Sequence, residues 1–204
     1  MEIIGMLDSP FVRRVAVTAR LLGLEYQHRP LSIFRTYDEF RLINPLVKVP
    51  TLICDDGDML VDSTLIIDYL ESLSASGQSL MPGEPGHYRQ SLKIIGIALV
   101  AMEKVAQLIY ETKQRPVELQ HAPWTERLQQ QLVGAVEMME AAVGDGERWM
   151  VGPEILQPDL TTAIAWRFVQ HVVPDVVNEE NYPGLVRFSA RAEALPEFLA
   201  CPIE

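Results

Sequence analysis

The first part of the chain alternates short apolar runs with amphipathic segments, a pattern typical of a small α/β domain. Apolar runs of strand length cover Glu2–Met6, Glu25–Leu31, Thr51–Cys54 and Met59–Val61. Apolar residues recur at helical spacing in Phe11–Leu22 and Ser63–Leu73, and the weakly patterned segment Phe34–Ile43 is a short helix or a loop. The predicted order is β-α-β-α-β-β-α, with a tight hairpin turn at 55–58 joining the last two strands.

Residues 87–204 show helical periodicity throughout and predict an all-α bundle. The candidate helices are His87–Glu118, Trp124–Val143, Asp159–Val172, Pro183–Ala194 and a short piece at Pro196–Ala200. Between the two patterns, Ser74–Gly86 is rich in serine, glycine and proline, which is typical of a boundary between domains. We therefore predict a first domain at 1–76, a linker at 77–86 and a second domain at 87–204.

The stretch Asn44–Leu52, with the sequence NPLVKVPTL, directly precedes the third predicted strand. Pro50 has no backbone N–H to donate and restricts Val49 to an extended conformation. The stretch is therefore interpreted as a strand entry held in one shape. On the residues alone, a trans bond before Pro50 is expected, because only about 5–6% of such bonds are cis in folded proteins.

Composition narrows the possible functions. The chain has 204 residues, of which 48% are hydrophobic and 22% charged, as in ordinary globular proteins. Its net charge of −11 argues against nucleic-acid binding, since no basic stripe is available. The two cysteines, Cys54 and Cys201, form no CxxC motif and favour a reducing, cytoplasmic compartment. No apolar run approaches the roughly 20 residues of a membrane span, and no signal peptide is expected.

Several residues have ordinary structural interpretations. Ser9 and Pro10 are suited to the start of a helix, where the serine hydroxyl caps and proline needs no donor. Cys54, inside a predicted strand, is expected to be a buried small hydrophobe. The four histidines have no ligand spacing, so we expect no metal site. No glycine-rich loop follows a strand, and nucleotide binding is not expected.

Three motifs in order carry a resemblance to a known family: S-P-F-V-R-R at Ser9–Arg14, N-P-L-V-K-V-P-T-L at Asn44–Leu52, and V-D-S at Val61–Ser63. Together with the linker and the helical second half, they resemble the cytosolic glutathione S-transferases of bacterial type, with serine at the position that contacts the thiol. The resemblance implies an α/β thioredoxin-like N-terminal domain, βαβαββα with a mixed four-stranded sheet, followed by an all-α helical bundle.

The resemblance also implies roles for single residues. Ser9 would stabilise the glutathione thiolate by a hydrogen bond beside a helix N-terminus. Val49, before a cis Pro50, would pair its backbone with the cysteinyl part of the tripeptide. Ser63 would bind the γ-glutamyl carboxylate, with Asp62 near the ammonium group. Without the resemblance, plain helix caps and a rigid strand entry are the favoured interpretations of these residues.

Other residues are weaker candidates for the site. Lys48 is placed near the glycyl carboxylate by the resemblance, but a solvated lysine is nearly as good an interpretation. Phe11, Tyr110 and Trp166 are candidates for an electrophile pocket, although aromatic residues at helical spacing more often belong to a core. Glu103 is a candidate contact to glutathione bound by a partner subunit.

Arg13 and Arg14 are interpreted as a solvated face or as interface salt bridges. The family implies a homodimer, with His87–Glu118 in the interface.

The sequence departs from the family pattern at two places. Val47 stands where a glycine is common, which alters the loop beside the site. Leu156 stands where serine or threonine usually completes a capping box with Asp159, so that box is predicted to be incomplete, although Asp159 can still cap the helix. In addition, no cysteine lies near Ser9, which favours transferase or peroxidase chemistry over mixed-disulfide exchange.

The predicted function is a cytoplasmic, homodimeric glutathione transferase. It would conjugate reduced glutathione, as a cosubstrate, to small hydrophobic electrophiles in detoxification, without a metal, a nucleic acid or a membrane as partner. The alternatives are a non-catalytic glutathione-binding or regulatory member of the same fold, and a glutathione-dependent peroxidase, isomerase or dehalogenase. The residues do not separate these reactions.

Overall fold

The computed structural model describes residues 1–74 and 77–203. Ala75, Ser76 and Glu204 lie outside the described residues, so the last two positions of the predicted first domain are not covered. The chain forms two compact units, Met1–Leu80 with Ala194–Glu204, and Met81–Glu193. The C-terminal end therefore groups with the first unit, whereas the sequence pattern assigned it to the helical domain.

The first unit contains a mixed four-stranded sheet in the order β2-β1-β3-β4. Its strands are β1 (Glu2–Ile4), β2 (Gln27–Arg29), β3 (Thr51–Ile53) and β4 (Met59–Val61). Strand β1 is parallel to β2 and antiparallel to β3, and β3 is antiparallel to β4. The predicted sheet and its order along the chain are confirmed.

Three helices accompany the sheet: α1 (Pro10–Leu21), α2 (Tyr37–Ile43) and α3 (Ser63–Ser72). Helix α1 ends just before Gly23, which has a φ of 68°, a conformation that favours glycine. A buried cluster is formed by Ile4 of β1, Leu31 of the loop after β2, and Phe40 of α2. This packing holds the loop after α2 against the sheet, next to the end of β1.

The turn between β3 and β4 is the predicted tight hairpin. Cys54 donates its N–H to the Asp58 carbonyl at 2.8 Å, and Gly57 has a φ of 92°. The prediction that Cys54 is buried is wrong: it is half-buried, and Cys201 is the buried cysteine. The cause is the position of Cys54 at the end of β3, where the chain already turns toward solvent.

The second unit is helical, as the periodicity predicts. Its helices are α4 (Pro85–Ile109), α5 (Ala122–Val143), α6 (Gln157–Val172) and α7 (Pro183–Glu193). The short helix α8 (Pro196–Leu199) follows in the C-terminal end that belongs to the first unit. Within the described residues, no helix combines the length and the apolar character needed to cross a bilayer.

The predicted helix His87–Glu118 ends earlier than expected. Helix α4 stops at Ile109, a π-helical turn covers Tyr110–Gln114, and Arg115 is extended with a ψ of 134°. Pro116 explains the stop, because proline disfavours helical geometry at the preceding residue. The buried carboxylate of Glu111 fixes the bend, accepting from Arg115 Nε at 2.9 Å and from the His121 N–H at 2.7 Å.

Asp159 caps α6 from inside the helix. Its two carboxylate oxygens accept the N–H groups of Met150 and Leu156, each at 2.8 Å. The other half of a capping box is missing, as predicted, because the Leu156 side chain has no acceptor atom. Burial raises the pKa of Asp159 to about 6, although both backbone hydrogen bonds and Arg191 act in the opposite direction.

Candidate functional site

Ser9 lies between β1 and α1, at the N-cap of the helix. Its backbone carbonyl accepts from the Arg13 N–H at 2.9 Å, so the first turn of the helix forms without the side chain. The predicted hydroxyl cap is wrong: the Ser9 side chain makes no capping hydrogen bond. Because Pro10 at the first helical position has no N–H, the first turn has one fewer backbone donor that needs a hydrogen-bond partner. The half-buried hydroxyl has no hydrogen-bond partner in residues 1–74 and 77–203.

The peptide bond between Val49 and Pro50 is cis. Pro50 is buried and Val49 is half-buried. Val49 lies outside the strands, and neither its N–H nor its carbonyl is hydrogen-bonded to another described residue. An extended residue with both backbone groups unpaired has the donor and acceptor needed to bind a peptide ligand as an added strand.

Gly5 allows the Val49 loop and α1 to approach each other at the end of β1. It has a φ of 137°, and a Cβ at this position would lie 2.6 Å from Val12 Cγ2 and 3.0 Å from Val49 Cγ1. The Gly5 carbonyl is hydrogen-bonded to His28 Nε2 at 2.8 Å. Sequence reasoning missed Gly5, and the only available signal was a glycine directly after an apolar run.

Asn44 connects the two ends of the loop that precedes β3. It is fully buried, donates from Nδ2 to Thr51 Oγ1 at 2.8 Å, and accepts the Leu46 N–H at 2.9 Å. Thr51 in turn donates its hydroxyl to the Lys48 carbonyl at 2.7 Å. These bonds fix the loop on both sides of Val49. Neither the Asn44 nor the Thr51 side chain was singled out from the sequence.

Val47 adopts a backbone conformation that valine rarely takes. Its φ is 47°, in the left-handed region, where a β-branched residue is strained by roughly 1–3 kcal/mol. Its side chain packs against the buried cluster of Ile4, Leu31 and Phe40. This is the position at which the sequence departs from the expected glycine, so the loop keeps a glycine-like conformation and gains an apolar contact.

Asp62 and Ser63 begin α3 as predicted. Asp62 is the N-cap: its Oδ1 accepts the Thr64 N–H at 2.8 Å and the Leu65 N–H at 3.4 Å. It does so with a φ of 74°, a conformation in which aspartate is better tolerated than most residues. The Ser63 N–H has no hydrogen-bond partner among the described residues. Ser63 thus leaves one donor available at the positive end of the helix.

A buried arginine lies behind this helix start. Arg14 is 1% exposed, and its Nη1 donates to Ser63 Oγ at 3.1 Å and to Thr64 Oγ1 at 3.2 Å. Its Nε is buried without a partner. Burial lowers the pKa of Arg14 to about 10, and the charge of Asp62 opposes this effect, so the guanidinium remains a cation at neutral pH.

The interpretation of Arg13 and Arg14 as a solvated face is wrong. Arg13 is 2% exposed, and its Nε donates to the Cys201 carbonyl at 2.7 Å while its guanidinium lies 5.6 Å from the centre of the Phe198 ring. Both side chains are covered because α1 packs on α3 on one side and on the C-terminal segment on the other. The sequence pattern did not indicate this burial, because two adjacent arginines in an amphipathic helix are usually expected on its exposed side.

The other candidates of the first unit are less constrained. Lys48 is exposed and forms no ion pair within the described part of the chain. Phe11 is half-buried in the first turn of α1, two residues after Ser9.

Three candidates belong to the second unit. Trp166 is 3% exposed and packs edge-on against Tyr182, with ring centres 5.8 Å apart, which fits the core interpretation. Tyr110 is 51% exposed at the start of the π-helical turn. Glu103 is exposed on α4 and accepts from Gln107 Nε2 at 2.7 Å.

Comparisons with known proteins identify similar sequences and a similar fold. Residues 3–78 match the family described as "Glutathione S-transferase, N-terminal domain". The chain is 31% identical over 85 residues to glutathione transferase GST 23 of Zea mays, a match that covers 42% of this chain and 38% of the maize protein. It is 27% identical over 197 residues to the probable maleylacetoacetate isomerase 1 of Drosophila melanogaster, covering 92% of this chain and 75% of that protein.

A solved structure extends the comparison to the whole chain. A glutathione S-transferase of Methylobacterium radiotolerans, in complex with glutathione sulfonate, superposes with a TM-score of 0.90 at 23% identity, covering 98% of this chain and 93% of that chain. At this identity the likeness shows the fold, a thioredoxin-like domain followed by a helical domain. Residues 3–78 thus match the N-terminal domain of the glutathione S-transferase family, and the whole chain has a fold similar to that of a solved glutathione S-transferase.

Proposed function

We propose that this protein is a glutathione transferase that binds reduced glutathione in its first unit and conjugates it to a small hydrophobic electrophile. The observation that carries the proposal is the hydrogen bond from the buried Arg14 guanidinium to Ser63 at the N-terminus of α3. A desolvated cation, an unpaired Ser63 N–H and a helix N-terminus together form a site for a carboxylate. The γ-glutamyl carboxylate of glutathione is the proposed occupant.

The proposed anchor for the middle of the tripeptide is Val49. Its unpaired N–H and carbonyl would exchange two backbone hydrogen bonds with the cysteinyl residue of glutathione. Asn44 and Gly5 position this segment, the former by its hydrogen bonds and the latter by the absence of a side chain. Asp62 would lie near the γ-glutamyl ammonium group, and Lys48 near the glycyl carboxylate.

Ser9 would activate the thiol. Its hydroxyl has no partner in the described chain, so it can donate to the glutathione sulfur without losing another hydrogen bond. The N-terminus of α1 adds the positive end of a helix dipole at the same position. Both effects favour the thiolate, which is the nucleophile. The thiolate forms a carbon–sulfur bond with the electrophile. In a substitution the bond to the leaving group breaks and that group departs with the electron pair, and in an addition to an activated double bond the resulting carbanion takes up a proton.

A glutathione-dependent isomerase is the second candidate. It is supported by the similarity to the Drosophila relative, which runs along 92% of this chain. Such a reaction would use the same activated thiolate, but glutathione would be released unchanged. A homodimer in the cytoplasm with a role in detoxification is proposed for the transferase, on the resemblance stated above.

The test is a calorimetric titration with reduced glutathione, combined with the ultraviolet absorbance of the thiolate as a function of pH. Saturable binding with a lowered thiol pKa is expected. Turnover of a generic aryl halide would then support the transferase. Isomerisation of a cis-dienoic acid without consumption of glutathione would support the isomerase. Binding with an unshifted thiol pKa would indicate a non-catalytic binding protein, and no binding at all would contradict the proposal.

A further inference from the structure

The second unit contains a cleft of about 370 Å³ that the proposed reaction does not use. It is lined by the segment 148–153 and by Arg191. The segment connects α5 to α6, and Arg191 lies in the last turn of α7. A water molecule occupies about 30 Å³ in the liquid, so the cleft has room for an organic ligand.

Two arginines and no acidic residue line this cleft, in a protein whose net charge is −11. Arg148 is exposed and makes no hydrogen bond or ion pair with any described residue. The neighbouring Glu147 is engaged elsewhere, with its carboxylate 3.6 Å from Arg187. A local cationic surface against an acidic background concentrates anions at that point.

Arg191 is held in a fixed position. Its guanidinium lies 3.6 Å from the centre of the Trp149 ring, and its Nη1 donates to the Glu147 carbonyl at 3.0 Å. The Trp149 ring is itself packed edge-on against Phe188, with ring centres 5.4 Å apart. A guanidinium fixed by stacking and by one hydrogen bond loses little conformational entropy when its remaining N–H groups bind a ligand.

The walls of the cleft combine these cations with apolar surface. Trp149, Val151 and Pro153 supply the apolar part, and Gly152 leaves one side open, since a Cβ there would meet only Leu156 Cδ1 at 3.8 Å. Ligand sites in proteins commonly combine an apolar lining with a few polar groups that set orientation.

We propose that this cleft binds a small organic phosphate, with the phosphoryl group between Arg148 and Arg191 and the organic part along Trp149. Arginine recognises phosphate through paired N–H groups, and a dianion with three terminal oxygens can engage both guanidinium groups at once. A single carboxylate has two oxygens and one charge, and can satisfy only one of them. The site consists of residues of the second unit alone and is independent of glutathione.

Phenyl phosphate is a suitable probe. The chain has three tryptophans, whose indole N–H signals can be followed separately by nuclear magnetic resonance. The Trp149 signal is expected to shift saturably, with a dissociation constant on the order of 1 mM or tighter, while the signals of Trp124 and Trp166 stay in place. Benzoate is expected to bind at least about 10-fold more weakly, because it carries one charge fewer.

Three variants test the assignment. Arg148→Gln should weaken the binding of phenyl phosphate by about 10-fold or more, since a charge-assisted hydrogen bond is lost. Gly152→Leu keeps both arginines, fills the cleft and should abolish the Trp149 shift. Arg127→Gln removes an exposed arginine from α5 and should leave the dissociation constant unchanged. An unshifted Trp149 signal in the wild type, equal affinity for benzoate, or unchanged binding in Arg148→Gln would each overturn the proposal.

Discussion

Arg14 Nη1 donates a hydrogen bond of 3.1 Å to Ser63 Oγ, joining the interior of α1 to the first residue of α3. The two residues are 49 positions apart in the sequence, and both side chains are buried. Through this bond the helix that begins at Ser9 is connected to the helix that begins with Asp62 and Ser63. The proposed thiol end and carboxylate end of the glutathione site are therefore linked by one side chain.

Replacing Arg14 by methionine tests the proposed carboxylate site. We expect Arg14→Met to weaken glutathione binding by about 10- to 100-fold, because a cation near a buried carboxylate is worth roughly 1.5–3 kcal/mol. Stability should change little, since a buried charge is costly to desolvate and an apolar side chain of similar length avoids that cost. Arg41→Met, at an exposed position of α2, is the control. Equal dissociation constants for Arg14→Met and Arg41→Met would remove Arg14 from the site.

Ser9→Ala separates catalysis from helix capping. A capping serine typically contributes about 1 kcal/mol to stability, but the Ser9 hydroxyl makes no cap. We therefore expect the free energy of unfolding to change by less than about 0.5 kcal/mol, while kcat/KM falls about 10-fold or more. Asp62→Ala, which removes a true cap, should cost about 1 kcal/mol in the same denaturation experiment. A large loss of stability in Ser9→Ala would restore the capping role.

Gly5→Ala should disturb the site without touching any ligand group. A Cβ at this position would meet Val12 Cγ2 at 2.6 Å and would also strain a φ of 137°. We expect a loss of about 1–3 kcal/mol of stability, together with weaker glutathione binding because Val49 is displaced. Gly96→Ala, inside α4 with no atom near the added Cβ, should instead stabilise the protein by up to about 1 kcal/mol. Normal glutathione affinity in Gly5→Ala would contradict the proposed role of the Gly5–Val49 contact.

The buried carboxyl group of Asp159 should make the stability of the protein depend on pH. Its pKa is raised from the ordinary 3.8 to about 6 by burial, so the folded state binds this proton more tightly than the unfolded state does. The corresponding stabilisation is present at low pH and is lost as the pH rises from about 4 through 6. Its size is on the order of 3 kcal/mol. Urea denaturation should show the free energy of unfolding of the wild type falling relative to that of Asp159→Asn as the pH rises through this range. A rise instead would show that the backbone hydrogen bonds to the carboxylate outweigh the cost of burying its charge.

The sequence predicts the order of strands and helices because apolar periodicity and turn residues act locally. The positions of Ser9, Val49, Pro50, Asp62 and Ser63 follow from motifs within single segments, and the structure has α1 and α3 beginning where the motifs indicate. The burial of Arg14 could not be predicted, since it depends on Ser63 and Thr64, which lie far away in the chain. The bend after Ile109 is held by the Glu111 carboxylate, which accepts from the His121 N–H, and the sequence pattern does not predict this contact.

The hydrogen bond from Arg13 to the Cys201 carbonyl has a consequence for how the protein is made. The first unit combines residues that precede the helical unit in the sequence with residues that follow it, because Arg13 donates to a carbonyl in the segment 194–204. During synthesis, the hydrogen bond from Arg13 can form only after the whole helical unit has been made. This differs from the usual order, in which domains complete folding from the N-terminus onward. Removal of residues 194–204 would therefore deprive the N-terminal unit of the buried Phe198 ring and of the carbonyl that accepts from Arg13.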